Sequence, residues 1–465
     1  MTASHPAVDI RPVGPFSAQH RALSAGIFAL ILCIAFEFMA VATALPVAAR
    51  ELGGLGLFPW ALSAFLAAAM FANGVAGELS DRVGPRLPVL VGSVAFTAGL
   101  LVSGLSATMA MLIFGRVVQG LGAGFTIVGV YVIIGQCYPD ELRPRVMSLL
   151  STAWVVPSVI GPFVAGGLTE LISWRLAFLI LVPLTPLPLL LVLPRIQSTT
   201  ATGVRRPARV VLAAAMAGGA ALLQWAGLLA EHRRWLAGAA AFCLGAAFVV
   251  LAARRLFPAG TLRLRRGLPS VVAFRGVIAG GFFGCEAYIP LMLVEHRGAS
   301  PTMAGLAVAC TAAGWSAGSA WQGRPGLRMR RSGLVRLGSA VTACGVLVAA
   351  SAAVTTDTVT APAWLAAVGL LVGGLGMGLS MSSNAVLLLD YSPPGEQGTN
   401  SAALQMSDSL GGVLVIGGAG VLYSALRTSV SATEVFTLVF SVAFVVTGLA
   451  ACVSFRVRSA AFPTS

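Results

Sequence analysis

The sequence predicts an all-α polytopic membrane protein, built as two pseudo-symmetric six-helix bundles with two further helices inserted between them. Three observations carry this prediction: an extreme apolar composition, the placement of the arginines, and an internal repeat. Of 465 residues, 57% are hydrophobic and only 10% charged, and the mean hydropathy is +0.90. A water-soluble fold of this size keeps far more polar surface outside.

Runs that approach or exceed the roughly 20 apolar residues of a bilayer-crossing helix recur along the whole chain. Read against Gly, Pro and charged breakers, they give fourteen candidate helices. The first six fall at about 23–49, 58–77, 87–107, 109–137, 147–170 and 173–194. A pair follows at about 209–230 and 234–253, then six more at about 269–294, 302–322, 333–355, 362–389, 402–426 and 433–456. The resulting units are a polar tail (1–22), an N-terminal bundle (23–194), a linker (195–208), an inserted segment with its loop (209–268), a C-terminal bundle (269–456) and a short tail (457–465). The first apolar run is too long for a signal-peptide core and is expected to stay as the first span.

The arginines test the count. All 30 basic residues are arginine; with the N-terminus inside, 22 fall in cytoplasmic segments, 6 in outer loops, and Arg116 and Arg275 within spans. That asymmetry matches the positive-inside rule, so both termini are expected in the cytoplasm. Merging the inserted pair into one span would move "RMRR" (328–331) outside. The net charge of +14 is therefore read as topology and affinity for anionic lipid, not for nucleic acid. The repeat supports the same division: "GLGAGFTIVGVYVIIGQCYPDE" from Gly120 and "GLGMGLSMSSNAVLLLDYSPPGE" from Gly374 run in one direction, each ending in a polar turn before a Gly-rich helix.

Metal and cofactor chemistry is not expected. His5, His20, His232 and His296 lie in the tail or loops, and the seven cysteines are scattered through apolar runs without ligand spacing. "GWSAG" (314–318) fits a nucleophile-elbow pattern, yet it lies inside an apolar span with no histidine after it, so an enzyme is not expected. Ionisable groups at membrane depth do demand a reason, since each costs roughly 2.5–3.5 kcal/mol on insertion scales. Glu37 sits near the middle of the first span, Glu286 somewhat outside the middle of the ninth, and Asp408 about six residues inside the thirteenth. Arg116 lies about seven residues inside the outer end of the fourth, ~10 Å at helical rise, and a guanidinium there must find a partner. Arg275 reads as shallow enough to snorkel and is given no role.

Five segments in order resemble the major facilitator superfamily, in particular the fourteen-helix branch of its drug:proton antiporters. They are "EFMAVATALP" (37–46), "GELSDRVGPRLPVL" (77–90), "RVVQGLGAG" (116–124), "GPFVAGG" (161–167) and "SWRLAFLILVP" (173–183). The second half matches more weakly. Two positions depart from the pattern: the branch usually has Asp at Glu37 and a basic residue at Pro85.

The resemblance implies a proton-coupled exporter of hydrophobic, amphipathic or cationic small molecules in the bacterial cytoplasmic membrane, a monomer working by alternating access. It makes the first and fourth helices neighbours, which points to Glu37 as the partner of Arg116; Glu37, Glu286, Arg116 and Asp408 are the proton-coupling candidates. It also implies that Gly77, Asp81, Arg82, Gly84 and Arg86 form a cytoplasmic latch, in which Asp81 meets a helix N-terminus and basic partners of the opposite half. The loop "GRPGLRMRRSG" (323–333) has no acid, so the latch would depend on Asp81 alone. Gly161, Pro162, Gly166 and Gly167 would form a hinge between the halves. Candidate substrate contacts are Phe36, Phe38, Gln119, Trp154, Tyr288, Met292, Trp315, Met381, Asn384 and Gln405, because aromatic and methionine walls suit large apolar or cationic guests. Such walls also suit a lipid, a siderophore or a self-made antibiotic. A non-transporting sensor or scaffold is the reading from a different class, and the intramembrane acids speak against it.

Overall fold

A computed structural model describes residues 14–53, 58–196, 207–231, 234–299, 301–354, 361–426 and 429–458, and those residues contain no β-strand. The first bundle consists of α1 (Arg21–Glu51), α2 (Phe58–Val83), α3 (Arg86–Gly104), α4 (Met109–Cys137), α5 (Arg143–Leu171) and two short helices, α6 (Leu176–Leu179) and α7 (Leu187–Val192). The inserted pair is α8 (Pro207–Glu231) and α9 (Trp235–Leu256). The second bundle consists of α10 (Leu268–Glu286), α11 (Ile289–Leu291), α12 (Pro301–Gln322), α13 (Arg331–Ser351), α14 (Leu365–Tyr391), α15 (Gln397–Leu426) and α16 (Ala432–Ser454).

Helices thus stand at the fourteen expected places, and two of those places hold broken helices. Pro183, Pro186 and Pro188 interrupt the sixth, where each proline removes a backbone donor and crowds the preceding turn. Pro290 disrupts the ninth: α10 stops at Glu286, and the chain continues as a three-residue α11 and a π-turn over Met292–His296. Among the described residues nine helices are long and apolar enough to cross a bilayer.

Neighbour relations repeat between the bundles. First packs on fifth (α1–α5, α10–α15), second on fourth (α2–α4, α12–α14) and third on fourth (α3–α4, α13–α14). First also packs on sixth (α1–α7, α10–α16) and third on sixth (α3–α6, α13–α16). The repeat seen in two sequence segments is therefore a repeat of the whole bundle.

Lipid supplies no hydrophobic driving force between helices, so close van der Waals approach must hold them together. A Cβ added at Gly122 of α4 would stand 2.3 Å from the Phe96 amide nitrogen of α3. In the second bundle, one at Gly345 of α13 would stand 2.2 Å from the Gly373 nitrogen of α14. Backbone fills the space in both places and cannot swing away.

Gly122→Val should accordingly lower stability by about 1–3 kcal/mol or more, the usual cost of overpacking. Gly418→Ala, on α15 with open space around it, should leave stability unchanged or slightly raised. Melting of the purified protein in detergent, followed by tryptophan fluorescence, compares the two.

Candidate functional site: buried charges and the seam between the bundles

The fourth helix begins at Thr108, whose hydroxyl caps it by accepting from the Met111 amide. Two turns further in, Arg116 is 1% exposed and Glu37 of α1 is fully buried. The Arg116 Nη1 donates to Glu37 Oε1 and, at 2.8 Å, to Gln119 Oε1; its Nε donates to the Ala61 carbonyl at 3.2 Å. The guanidinium carbon also lies 4.5 Å from the centre of the Phe65 ring. Hydrogen bonds and a ring face thus satisfy the cation on several sides. Glu37 Oε2 is buried without a hydrogen-bond partner among the described residues, and so is Gln119 Nε2. The carboxylate therefore has one oxygen committed to Arg116 and one free to receive a proton.

The second bundle holds a charge pair at the opposite, arginine-rich end. Here the snorkelling reading of Arg275 is corrected. Arg275 is 8% exposed, and its Nε donates to Asp408 Oδ1 of α15 at 3.0 Å. Its Nη1 donates to the Met381 carbonyl of α14 at 3.3 Å, and the Tyr131 hydroxyl of α4, in the other bundle, completes the set. Depth counted from the helix end misplaces this residue because α14, α15 and α4 close over it. Asp408 is consequently an ion-paired carboxylate with 23% exposure. Glu286 stands at the Pro290 break, half-buried, beside Thr311 of α12.

The seam between the bundles is joined on the arginine-rich side. Asp81, near the end of α2, accepts two amide bonds at the first turn of α15, from Gly398 N (2.7 Å to Oδ1) and Thr399 N (2.8 Å to Oδ2). Gly77, one turn earlier, lies against Ala402 and the Gly398 carbonyl, where a Cβ would come within 2.7 Å of both. Gly84 turns the chain into α3 at φ 82°, a conformation that favours glycine. Arg82 and Arg86 are exposed and face solvent. The expectation of a helix N-terminus opposite Asp81 holds. An arginine near Asp81 at this joint is Arg209, on the inserted helix α8, which donates to Thr399 Oγ1.

Asp81 is also not the sole tie. Arg143 of α5 is 3.5 Å from Asp390 of α14, and Gln322 of α12 donates from Nε2 to the Pro144 carbonyl at 3.0 Å. Arg331 in turn holds Gln322 through its carbonyl (2.7 Å) and its Oε1 (3.0 Å). Ser151 and Ser382 meet at 3.2 Å. The basic loop of the second half thus joins through an arginine and a glutamine rather than an acid.

Of the hinge residues, Gly161 packs on Met39 of α1, with 3.2 Å left for a Cβ, and Gly167 faces open space. Pro162 and Gly166 lie within α5, but their surroundings are outside the described residues. The "SWRLAF" segment has a structural reason: the Trp174 indole and the Arg175 guanidinium both donate to Glu51 at the end of α1, at 2.8 and 2.6 Å.

The predicted substrate contacts separate into two kinds. Phe38, 37% exposed, forms an aromatic group with Phe65 and Trp154, whose ring centres lie 6.1 and 6.2 Å away. Trp315 forms another with Phe282 and Phe283, at 6.5 and 6.1 Å. Phe36 and Gln405 are half-buried, and Gln405 Oε1 has no partner among the described residues. Met292, Met381, Asn384 and Gln119 are buried in packing; Asn384 donates to the Val271 carbonyl at 3.1 Å. Tyr288 donates to the Ile416 carbonyl at 3.1 Å. Phe65, Phe282, Phe283, Tyr131 and Arg209 are not among the residues the sequence singles out. Only their helical spacing to chosen residues could have signalled them, as with Phe282 and Phe283 beside Glu286.

With this geometry in place, similarity to known proteins is informative. A family model described as Major Facilitator Superfamily matches residues 27–416. The chain belongs to that superfamily. A probable multidrug-efflux transporter of Mycobacterium tuberculosis is 27% identical over 414 residues, 84% of this chain and 85% of its own. The multidrug efflux pump SdrM of Staphylococcus aureus is 30% identical over 170 residues, 36% of this chain and 38% of the pump. An uncharacterized MFS-type transporter of M. tuberculosis is 36% identical over 173 residues, and this match spans only 24% of that longer protein. Among solved structures, the proton:xylose symporter XylE superimposes with a TM-score of 0.68 at 15% identity, covering 94% of this chain and 95% of XylE. The human organic anion transporter MFSD10 gives 0.67 at 14%, covering 93% and 100%. At such identities these two speak to the fold alone. The superfamily is one of membrane transporters, and the match to SdrM and to the uncharacterized transporter spans only part of their own lengths, about a quarter to two fifths.

Removing one member of a buried pair strands the other. Arg116→Met alone should cost about 3–5 kcal/mol, and the double variant Arg116→Met with Glu37→Gln should recover part of that loss. Thermal unfolding of wild type, both singles and the double in one detergent gives the cycle.

Proposed function

We propose that this protein is a proton-coupled exporter of hydrophobic, amphipathic or cationic small molecules, alternating between two arrangements of its bundles. The observation that carries the reading is the Glu37–Arg116 pair, fully buried and with one carboxylate oxygen uncommitted. Arg116 keeps its charge at any relevant pH. A proton arriving on Glu37 Oε2 removes the ionic half of the pair and leaves a buried cation under-compensated. The energetic cost of that state is large enough to drive α1 and α4 to a new arrangement. Release of the proton restores the pair.

The joints at Asp81, Arg143 and Gln322 support a conformer closed on its arginine-rich side, which the positive-inside pattern makes the cytoplasmic side, with both termini there. In this scheme Asp408 and Glu286 are further proton-linked carboxylates of the second bundle. The Phe38–Trp154 and Trp315–Phe283 groups supply apolar and cation-attracting surface for guests. The multidrug names of the bacterial relatives agree with this substrate class and with a bacterial cytoplasmic membrane. The protein would act as a monomer with protons and substrate as its only small-molecule partners.

In everted vesicles, Glu37→Gln should reduce proton-driven accumulation of a fluorescent lipophilic cation at least tenfold, while exchange of that cation without a proton gradient persists. Full proton-driven uptake by this variant would remove Glu37 from the mechanism. Asp81→Asn should abolish transport with normal membrane insertion, judged by fluorescence-detected gel filtration.

A further inference from the structure

The inserted helix α8 packs against α2 of the first bundle and α15 of the second, so it lies over the seam between them. Its inward stripe is Ala213, Met216, Ala217 and Ala220, all buried and spaced as one helical face. At Gly74 of α2 the three helices meet. A Cβ there would come within 2.6 Å of the Ala213 Cβ and 3.3 Å of the Met406 Sδ of α15.

Arg209 lies four residues before Ala213, on the same face and one turn nearer the Asp81 joint. Its Nη1 donates to Thr399 Oγ1, and its charge lies near the Asp81 carboxylate. Asp81 is meanwhile bonded to the amides of Gly398 and Thr399. The joint therefore has three contributors: a carboxylate from the first bundle, a helix N-terminus from the second and a guanidinium from the insert.

We propose that Arg209 is a positioning residue of the conformational switch, and that the inserted pair is a working third body of it. Two partial positive charges at a helix N-terminus compensate a half-buried carboxylate only in part. Arg209 supplies the remaining charge and, through Thr399, fixes the first turn of α15 against α2. The two contacts of α8 differ in kind. Its seat on α2 is backbone-close at Gly74, whereas near the joint its tie to α15 is a side-chain hydrogen bond that can be broken and remade. When α2 and α15 part, α8 stays with α2, and the Arg209–Thr399 bond is the one that opens.

This inference rests on the alternating-access reading, and the test separates the two. Spin labels at Val83→Cys and Glu396→Cys, both exposed and on opposite bundles, report the width of the joint in full-length protein in nanodiscs with its native cysteines replaced. Loss of a hydrogen bond to a charged donor should raise the ratio of open to closed distances about tenfold in Arg209→Ala. Arg209→Lys should raise it less, because the charge remains. Thr399→Ala leaves α8 untouched and keeps the Thr399 amide bond to Asp81, but it removes the hydroxyl bonded to both Arg209 and Asp81; it should shift the ratio in the same direction as Arg209→Ala and by at least as much.

Asp81→Asn serves as the reference. If Asp81→Asn opens the joint while Arg209→Ala and Thr399→Ala superimpose on wild type, the role of α8 is overturned and the latch stands. If none of the three moves the distribution, the latch itself fails and the inference falls with it.

Discussion

A guanidinium that cannot shed its proton sits fully enclosed in the first bundle, and much of the architecture follows from the need to accommodate it. Arg116 draws Glu37 of α1, Gln119 of its own helix, the Ala61 carbonyl and the Phe65 ring of α2 around one cation. Three helices are thereby fixed to one another by a charge whose partner alone can titrate. The second bundle contains the same device at the other end, where Arg275 gathers Asp408, the Met381 carbonyl and Tyr131. Tyr131 belongs to the first bundle, so this second cation also reports on the seam.

Charge pairs of this kind need a rigid surround, and glycine supplies it. The α3–α4 and α13–α14 contacts bring backbone against backbone at Gly122 and Gly345. The ties between the bundles are of another kind: amide donors on a carboxylate at Asp81, a 3.5 Å ion pair at Arg143, and single hydrogen bonds at Gln322 and Ser151. Each is individually modest, of the order of a single hydrogen bond or surface ion pair.

Much of this was legible in the sequence for physical reasons that can be named. A buried acid and a buried base have few other partners, so the Glu37–Arg116 contact follows from burial cost together with the helix adjacency that the resemblance implies. Asp81 opposite a helix N-terminus follows from the resemblance together with the helix dipole. Arg275 was illegible because depth along one helix says nothing about which neighbours rise around it. The break at Glu286 was signalled by Pro290, yet proline within an apolar run is also tolerated, as Pro46 in the unbroken α1 shows. Arg209 stands in the sequence at the start of the inserted segment among several cytoplasmic arginines, and the packing of α8 on two bundles at once is what brings it to Thr399. Phe65 and Phe282 carry no pattern that separates a site-lining ring from a lipid-facing one.

A body made of two equal bundles has two seams that run the depth of the membrane, one on each flank. In this protein α8 lies along the α2–α15 flank with α9 packed outside it, while the α5–α12 flank carries no inserted helix among the described residues. The molecule is therefore handed in the plane of the bilayer. A molecule approaching through the lipid meets a sheathed flank from one direction and, among the described residues, an unsheathed one from the other.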